Sequence, residues 1–176
     1  KRQLLNMAEE NAKLLVEQRR LQWQHDRDKT SGAVEALARV LDLPCLPERM
    51  ECFDISHTQG AETVASMVVF ENGRPAKKEY RRFKLKTVQG KPDDFASMAE
   101  IMHRRYGEKT WPLPDLIVID GGKGQLHAAL PVIREAGAEA TVISLAKRIE
   151  EVFVEGRNDS IVLDHHTPEL QLLQSI

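Results

Sequence analysis

The sequence predicts an α/β fold, in which a mixed five-stranded sheet is flanked by helices and preceded by N-terminal helices. The order of the segments is the first reason, because three strand patterns come first and helix and strand patterns then alternate to the end of the chain. The second reason is the run "DLIVID" at 115–120, a short apolar segment bounded by acids. Such a run is typical of a buried strand in a parallel or mixed sheet.

The composition fits one domain and excludes several classes of protein. The 176 residues are 41% hydrophobic, and 25 Lys and Arg nearly balance 27 Asp and Glu. This balance gives no strong attraction to nucleic acid or to an anionic membrane. No apolar run is long enough to cross a bilayer, and Cys45 and Cys52 match no zinc spacing. We expect a cytoplasmic fragment of a longer protein, with reduced thiols.

Residues 1–47 are predicted to form a helical segment that leads into the main domain. Apolar residues recur on one side of a helix over residues 1 to about 29. The "TSG" at 30–32 predicts a break, and a second helix is expected over 33–41, before the prolines of "LPCLPE". This segment either packs on the main domain or forms an arm that binds a partner.

The main domain, residues 48–176, is predicted to begin with an antiparallel meander. "MECFDIS" is the first strand, and Thr63 to Phe70 is the second. Asn72 and Gly73 suit a hairpin turn, because both residue types accept positive φ angles. Residues 78–86 alternate between apolar and charged side chains and form the third strand.

A helix is expected next, over residues 93–107. Phe95 and Met98 begin its apolar face, and Gly107 marks its end. Asp93 most simply caps this helix, because a carboxylate accepts from free backbone N–H groups and favours the helix dipole. The apolar face predicts that the helix covers one side of the sheet.

The remaining segments complete the alternation of helices and strands. A helix over 126–136 and a strand over 141–145 follow the fourth strand. The stretch "EEVFVEGRNDSIVLD" suggests a small extra hairpin. Thr167 and Pro168 are the N-cap and first residue expected of a last helix.

The topology brings two acids to one edge of the sheet. Short right-handed crossovers are preferred, so the fourth strand is expected beside the first and parallel to it. Asp54 and Asp120 then lie at the edge where open α/β sheets place their sites. Neighbouring carboxylates repel unless they share a proton or bind divalent cations, so the pair is a candidate site for Mg²⁺ or Mn²⁺. A lone Asp54 would more simply cap a turn.

Candidate phosphate and DNA contacts lie beside this pair. Gly121 and Gly122 let the backbone turn, and the following helix directs free N–H groups toward an anion. Lys123 adds a positive charge, although a solvated lysine in a glycine-rich turn is the simpler interpretation. Arg82 and Lys84 fall on one face of the third strand, where they either meet phosphates or protect an exposed edge from aggregation.

Four motifs carry a resemblance to a known family. "FDISHTQG", "ASMVVFENG", "DDFASM" and "LIVIDGGKGQ", in this order and spacing, are similar to the C-terminal endonuclease half of the UvrC family, the excinuclease of bacterial nucleotide excision repair. The similarity runs from about Glu48 to the end of the chain. It implies a ribonuclease-H-like fold and metal-dependent incision of damaged DNA on the 5′ side of the lesion, beside a UvrB-type partner subunit in the full-length protein.

The resemblance also implies which residues act. Asp54 in "FDISH" and Asp120 in "VIDGGKGQ" match the aspartates of the family's Asp-Asp-His set, and Asp93 in "PDDF" falls in a motif tied to incision. The family's histidine lies beyond the pattern "LQLLQSI", and His165 and His166 precede that pattern without matching it. We therefore expect an incomplete catalytic core that folds, binds DNA weakly, and cleaves it poorly or not at all.

Two other functions stay open on the sequence. In one, the acids only stabilise turns, and the domain is a non-catalytic binding module whose helical front docks a partner. In the other, the "GGKG" turn belongs to a phosphate-binding α/β domain. Binding of Mn²⁺ separates the nuclease from both, because only the nuclease needs the cation.

Overall fold

The computed structural model describes residues 2–57, 63–85, 94–107, 109–146 and 150–176. Over these ranges the helices are α1 (Arg2–Leu41), α2 (Asp94–Gly107), α3 (Lys123–Glu135) and α4 (Pro168–Ser175). The strands are β1 (Arg49–His57), β2 (Thr63–Glu71), β3 (Arg74–Pro75), β4 (Arg81–Lys84), β5 (Leu116–Asp120), β6 (Thr141–Ala146), β7 (Glu151–Val154) and β8 (Ile161–Val162). No helix in these ranges combines the length and the apolarity that a membrane span requires.

The strands of the described ranges form one mixed sheet of eight, in the order β3-β2-β1-β5-β6-β7-β8, with β4 also paired to β2. The pairs β1–β5 and β5–β6 are parallel, and the others are antiparallel. The predicted parallel pairing of the first and fourth predicted strands is therefore confirmed. The prediction of five strands is too low, because β3 and the hairpin β7–β8 extend the sheet at its two sides. The hairpin itself was predicted and is confirmed.

The third predicted strand, residues 78–86, corresponds to β4, which is shorter than expected and does not follow the turn directly. Asn72 and Gly73 form the predicted turn, with φ angles of 49° and 73°. The strand that leaves the turn ends at Pro75, which has no N–H to continue a ladder of hydrogen bonds. A 3₁₀ turn over Lys77–Glu79 follows, and β4 then returns to pair with β2.

The N-terminal segment is one helix rather than the two that were predicted. Thr30 stays within α1, where its Oγ1 donates to the carbonyl oxygen of Asp26 at 2.6 Å. Gly32 costs about 1 kcal/mol in a helix interior. The turns that follow bury Val34, Leu37 and Leu41 against the sheet, and this packing outweighs the cost. The side chains of residues 10–29 are exposed.

The sheet separates two apolar cores, because successive side chains of a strand point to opposite faces. The first core lies under α1 and α4 and includes Cys52 and Val118. The second core lies under α2 and α3 and includes Phe53 and Ile119. Successive residues along β1, and likewise along β5, thus belong to different cores. This alternation determines to which face of the sheet the last residues of both strands point.

A buried ion pair joins α2 to β1 at the amino end of the strand. Arg105 Nε and Nη2 donate to the two carboxylate oxygens of Glu51 at 2.9 and 2.7 Å, and both side chains are fully buried. Arg49 Nε and Nη2 donate to Glu51 Oε1 at 3.3 and 3.2 Å, and Tyr106 Oη donates to Oε2 at 3.3 Å. Glu51 is thus compensated by two guanidinium groups and a phenol.

Candidate active site at the carboxyl edge of the sheet

Asp54 and Asp120 lie next to each other at the carboxyl ends of β1 and β5. The parallel register of these strands ends with Phe53 opposite Ile119, so the next residue on each strand is an aspartate. Asp54 pairs on its other side with Ser66 of β2. Adjacent strands lie about 4.8 Å apart, so the two aspartates are lateral neighbours.

The two aspartates project from the same face of the sheet. Cys52 and Val118 belong to the core under α1 and α4, and Asp54 and Asp120 follow them by two residues on their respective strands. Both aspartates are half-buried. Ser56 projects from this face as well, and its Oγ donates to Asp54 Oδ2 at 3.0 Å.

The glycine turn after Asp120 directs the next helix toward this edge. Gly121 has a φ angle of 154°, and a Cβ atom there would lie 3.0 Å from Cγ and Cδ of Gln125. The N–H of Gly122, the N-cap of α3, donates to Gln125 Oε1 at 3.0 Å. The helix begins at Lys123, three residues before the predicted start at Leu126, so the free amides of its first turn lie just after Asp120.

Lys123 lies at the same edge but turns toward the β7–β8 connection. Its side chain is exposed, and its Nζ donates to the carbonyl oxygen of Asn158 at 3.3 Å. The ammonium group therefore donates to a neutral acceptor at the surface and keeps its positive charge near the glycine turn.

Arg82 and Lys84 share the face of the aspartate pair. Arg82 is opposite Ser66, and Ser66 is opposite Asp54, so these residues form one row across β4, β2 and β1. Directly opposite side chains lie on the same face of a sheet. Arg82 is two strand spacings from Asp54, about 10 Å, and both cations are exposed.

The edge strand β4 is held to the body of the domain by α2. Arg104 Nη1 donates to the backbone carbonyl oxygen of Lys84. The Arg81 guanidinium lies 5.2 Å from the ring centre of Trp111, and Arg105 lies 5.3 Å from the same ring. These contacts fix the strand that carries Arg82 and Lys84 relative to the sheet.

The donor set fits hard divalent cations. In the part of the chain that the structure describes, no cluster of three or more His, Cys, Asp or Glu is arranged to hold a metal ion. Two half-exposed carboxylates leave room for water, which Mg²⁺ and Mn²⁺ retain as ligands in proteins. Asp93 lies outside the described residues. His165 is exposed, and its Nδ1 lies 2.6 Å from Glu150 Oε2.

A mixed sheet with two aspartates at the ends of adjacent parallel strands defines an α/β domain of the ribonuclease-H-like class. The family model described as the UvrC RNAse H endonuclease domain matches residues 38–176. The chain belongs to this family.

Curated relatives cover the whole chain. A UvrABC system protein C of Koribacter versatilis is 49% identical over 181 residues, and one of Gloeobacter violaceus is 48% identical over 184 residues. In each case 100% of this chain aligns with 29% of the relative, so the chain spans less than a third of their length. Among solved structures, an endonuclease V of Ciona intestinalis bound to inosine-containing DNA is 13% identical, with a TM-score of 0.40 over 62% of this chain and 54% of that one.

Sequence reasoning missed the surroundings of Phe95. The residue was predicted to lie on the apolar face of its helix, yet it is 53% exposed. Helical periodicity assigns a residue to a face but does not show where the sheet beneath that face ends. The glycines after Asp120 were a usable signal, because Gly124 is where the Phe95 ring comes close to the backbone.

Proposed function

We propose that this domain cleaves a DNA phosphodiester with Mg²⁺ or Mn²⁺ held by Asp54 and Asp120. The observation that carries the proposal is the register of β1 and β5, which makes the two aspartates neighbours on one half-exposed face. Carboxylates so placed repel each other, and divalent cations relieve that repulsion. Asp93 is a further acid that we include in the proposal on the motif alone.

The residues around the pair suit the handling of a phosphodiester. Asp54 and Asp120 would hold a divalent cation, which would polarise the phosphodiester and offset its negative charge beside the two carboxylates. Ser56 donates to one oxygen of Asp54 and thereby restricts the rotation of that carboxylate. Arg82 and Lys84 extend along the same face and neutralise neighbouring phosphates of the bound strand.

The first turn of α3 forms the other flank of the proposed site. Its free amides and the side chain of Lys123 favour an anion beside the glycine turn of Gly121 and Gly122. The net charge of −2 supplies no general attraction to DNA, so binding depends on these local groups. We expect weak and strongly salt-dependent DNA binding by the isolated chain.

We infer the biological setting from the relatives. They are UvrC proteins of a UvrABC system, so we propose that the domain acts in the bacterial cytoplasm on damaged DNA, within an excision repair complex. The 5′ incision and the UvrB-type partner are part of this proposal.

Binding of Mn²⁺ and nicking of DNA test the proposed site. Free Mn²⁺ is measured by electron paramagnetic resonance, and nicking is followed on supercoiled plasmid at low salt. Asp54→Asn and Asp120→Asn are each expected to weaken Mn²⁺ binding at least about tenfold and to abolish any metal-dependent nicking, because each removes a charged oxygen ligand.

Glu139→Gln is the matched control, since it removes an exposed carboxylate from the connection that precedes β6. It is expected to bind Mn²⁺ as the unaltered chain does. Unchanged Mn²⁺ binding in both aspartate variants would show that the pair does not hold the metal. Nucleotide binding that needs no metal would instead favour a phosphate-binding α/β domain.

A further inference from the structure

A cavity lies between the middle of α1 and the turn that joins β2 to β3. Its volume is about 460 Å³, within the range of about 300–1,000 Å³ that ligand clefts occupy. Trp23 and Val34 of α1 and Leu46 of the connection before β1 supply its apolar lining. Trp23 and Leu46 are 53% and 50% exposed, so this lining faces solvent. The cavity therefore has the size and the surface to receive a bulky apolar side chain.

The apolar lining continues along α1, away from the sheet. Val16, Trp23 and Leu37 are separated by multiples of seven residues, and a helix returns to nearly the same direction every seven residues. Leu37 is fully buried in the core, whereas Val16 and Trp23 are exposed. The stripe of α1 that packs on the domain thus extends past it as an exposed apolar seam, formed by Val16 and Trp23.

A row of basic residues borders this seam. Lys13, Arg20 and Arg27 also recur every seven residues, and Arg20 and Arg27 each follow a residue of the seam by four positions, which makes them its neighbours on the helix surface. The Arg27 guanidinium lies 4.9 Å from the centre of the Trp23 ring. Charges that flank the apolar seam of a helix decide which partner it accepts. This basic row therefore favours a partner with acidic flanks.

A second copy of α1 does not offer such flanks. On the other side of the seam, Leu15, Gln22 and Lys29 recur with the same spacing. Neither a parallel nor an antiparallel pair of α1 helices would therefore place acids opposite Arg20 and Arg27. The charge pattern thus excludes self-association through the seam.

The cavity is also a poor site for a nucleic-acid strand. Glu35 and Glu71 line it, and their carboxylates repel phosphates. A strand carries a charge at every nucleotide. A helix, by contrast, places its acids along its flanks and only an apolar side chain in the cavity. The charges around the cavity thus favour a protein helix.

We propose that the seam and the cavity bind an amphipathic helix of a protein partner, whose apolar stripe is flanked by Asp or Glu. The apolar stripe of the partner lies along Val16 and Trp23, and one of its side chains enters the cavity. The acids of the partner meet Arg20 and Arg27.

This inference goes beyond the proposed function, because the cavity lies at the other edge of the sheet. Glu71, which lines the cavity, is opposite Arg49 at the amino end of β1. Asp54 and Asp120 lie at the carboxyl ends of their strands. A helix in the cavity therefore leaves the aspartate pair accessible.

Two synthetic helical peptides are the probes for this surface. Each is about three heptads long with Leu at both seam positions, and one carries Glu on its flanks where the other carries Lys. Labelled peptide is titrated with the whole chain, and fluorescence anisotropy is recorded. The Glu peptide is expected to bind at least about tenfold more tightly than the Lys peptide, because only its flanks complement the basic row. Equal affinities for the two peptides would overturn the inference.

Trp23→Ala tests the use of the cavity. It is expected to weaken binding of the Glu peptide at least about tenfold, because it removes the aromatic anchor of the site. Leu21→Ala is the matched control, since Leu21 is 60% exposed on α1 and does not line the cavity. It is expected to bind as the unaltered chain does. Normal binding by Trp23→Ala, or equal losses in the two variants, would contradict the proposed site.

Arg20→Glu tests the basic row separately. It is expected to weaken binding of the Glu peptide and to strengthen binding of the Lys peptide, each by about threefold or more. Circular dichroism is expected to show the same helix content as in the unaltered chain, since the side chain of Arg20 is exposed. An unchanged preference between the peptides would mean that the basic row does not select the partner.

Sedimentation velocity and an oligonucleotide titration test the other occupants. The chain alone is expected to sediment as a monomer, and a single-stranded oligonucleotide is not expected to displace the Glu peptide. A dimer that Trp23→Ala dissociates would make a second copy the occupant. Displacement of the peptide by the oligonucleotide would make nucleic acid the occupant, and either result would overturn the inference.

Discussion

Glu51 shows how single residues decide the packing of this domain. It is a fully buried carboxylate whose charge is compensated by Arg105 and Arg49. The sequence alone could not reveal this arrangement, because Arg105 is 54 positions away and lies on a helix rather than a neighbouring strand. Asp54 and Asp120, by contrast, were predictable, since each lies on a strand whose direction and neighbour followed from the order of elements.

Arg105→Met is expected to lower the free energy of unfolding by about 3 kcal/mol, because it leaves Glu51 buried with less compensation. Urea denaturation followed by circular dichroism measures the change. Arg157→Met is the control, since the ion pair of Arg157 with Asp42 is exposed, and its removal is expected to cost less than about 1 kcal/mol. Equal costs for the two variants would contradict the role given to Glu51.

Tyr106 is expected to make the free energy of unfolding fall at alkaline pH. Burial, together with the nearby Glu51 carboxylate, raises the pKa of Tyr106 well above its ordinary value of 10.0. Above pH 10 the unfolded chain releases the phenol proton while the folded chain retains it, so this group lowers stability as pH rises, by at most about 1.4 kcal/mol per pH unit. Its contribution is fully present below pH 10.

Tyr106→Phe is expected to remove that dependence. Urea denaturation at pH 8, 10 and 11 should show the free energy of unfolding of the unaltered chain falling more steeply above pH 10 than that of the variant. Parallel curves for the two proteins would mean that Tyr106 ionises alike in the folded and unfolded chains.

At the scale of the elements, the turn between β2 and β3 is fitted against α1. Gly73 has a φ angle of 73°, and a Cβ atom there would lie 2.6 Å from Thr30 Cγ2 and 2.8 Å from Val34 Cγ2. The sequence predicted the turn from Asn72 and Gly73, because the local requirement for positive φ is visible in residue type. It did not predict that α1 continues without a break through residues 30–32. The core that stabilises this part of the helix is formed by residues distant in the chain.

Gly73→Ala is expected to destabilise the domain through both backbone strain and this clash, by about 2 kcal/mol or more. Gly156→Ala separates the two effects, because Gly156 has a φ angle of 75° with no atom within 4 Å of a Cβ built on it. Its cost is expected to be about 1 kcal/mol, from the backbone alone. Thermal unfolding of both variants measures the difference, and equal shifts would exclude a contribution from α1.

At the scale of the whole molecule, α1 has a long exposed stretch and a buried C-terminal end. Residues 10–29 are exposed along the helix, whereas Leu37 and Leu41 lie in the core beneath it. The general fold was predictable because element order and buried strands constrain the topology strongly. The extent of the sheet was predictable only in part: the extra hairpin that forms β7 and β8 was expected, whereas β3 has two residues and carries no periodic pattern.

Removal of residues 1–29 is expected to change the free energy of unfolding by less than about 1 kcal/mol, because residues 10–29 are exposed and exposed side chains contribute little. Leu37→Ala is expected to cost about 2–5 kcal/mol, because it leaves a cavity in the core under α1 and α4. Chemical denaturation of both variants checks the pair of expectations. A large loss on truncation would show that the exposed part of α1 stabilises the domain.

The buried Glu51 also stabilises the register at the far end of its own strand. If β1 slid by one residue against β5, Glu51 would leave its two arginines and Asp54 would swing to the opposite side of the sheet, away from Asp120. The buried ion pair of Glu51 thus stabilises the register that places the two aspartates side by side. A substitution that removes the Glu51 ion pair would therefore also displace the carboxylate of Asp54.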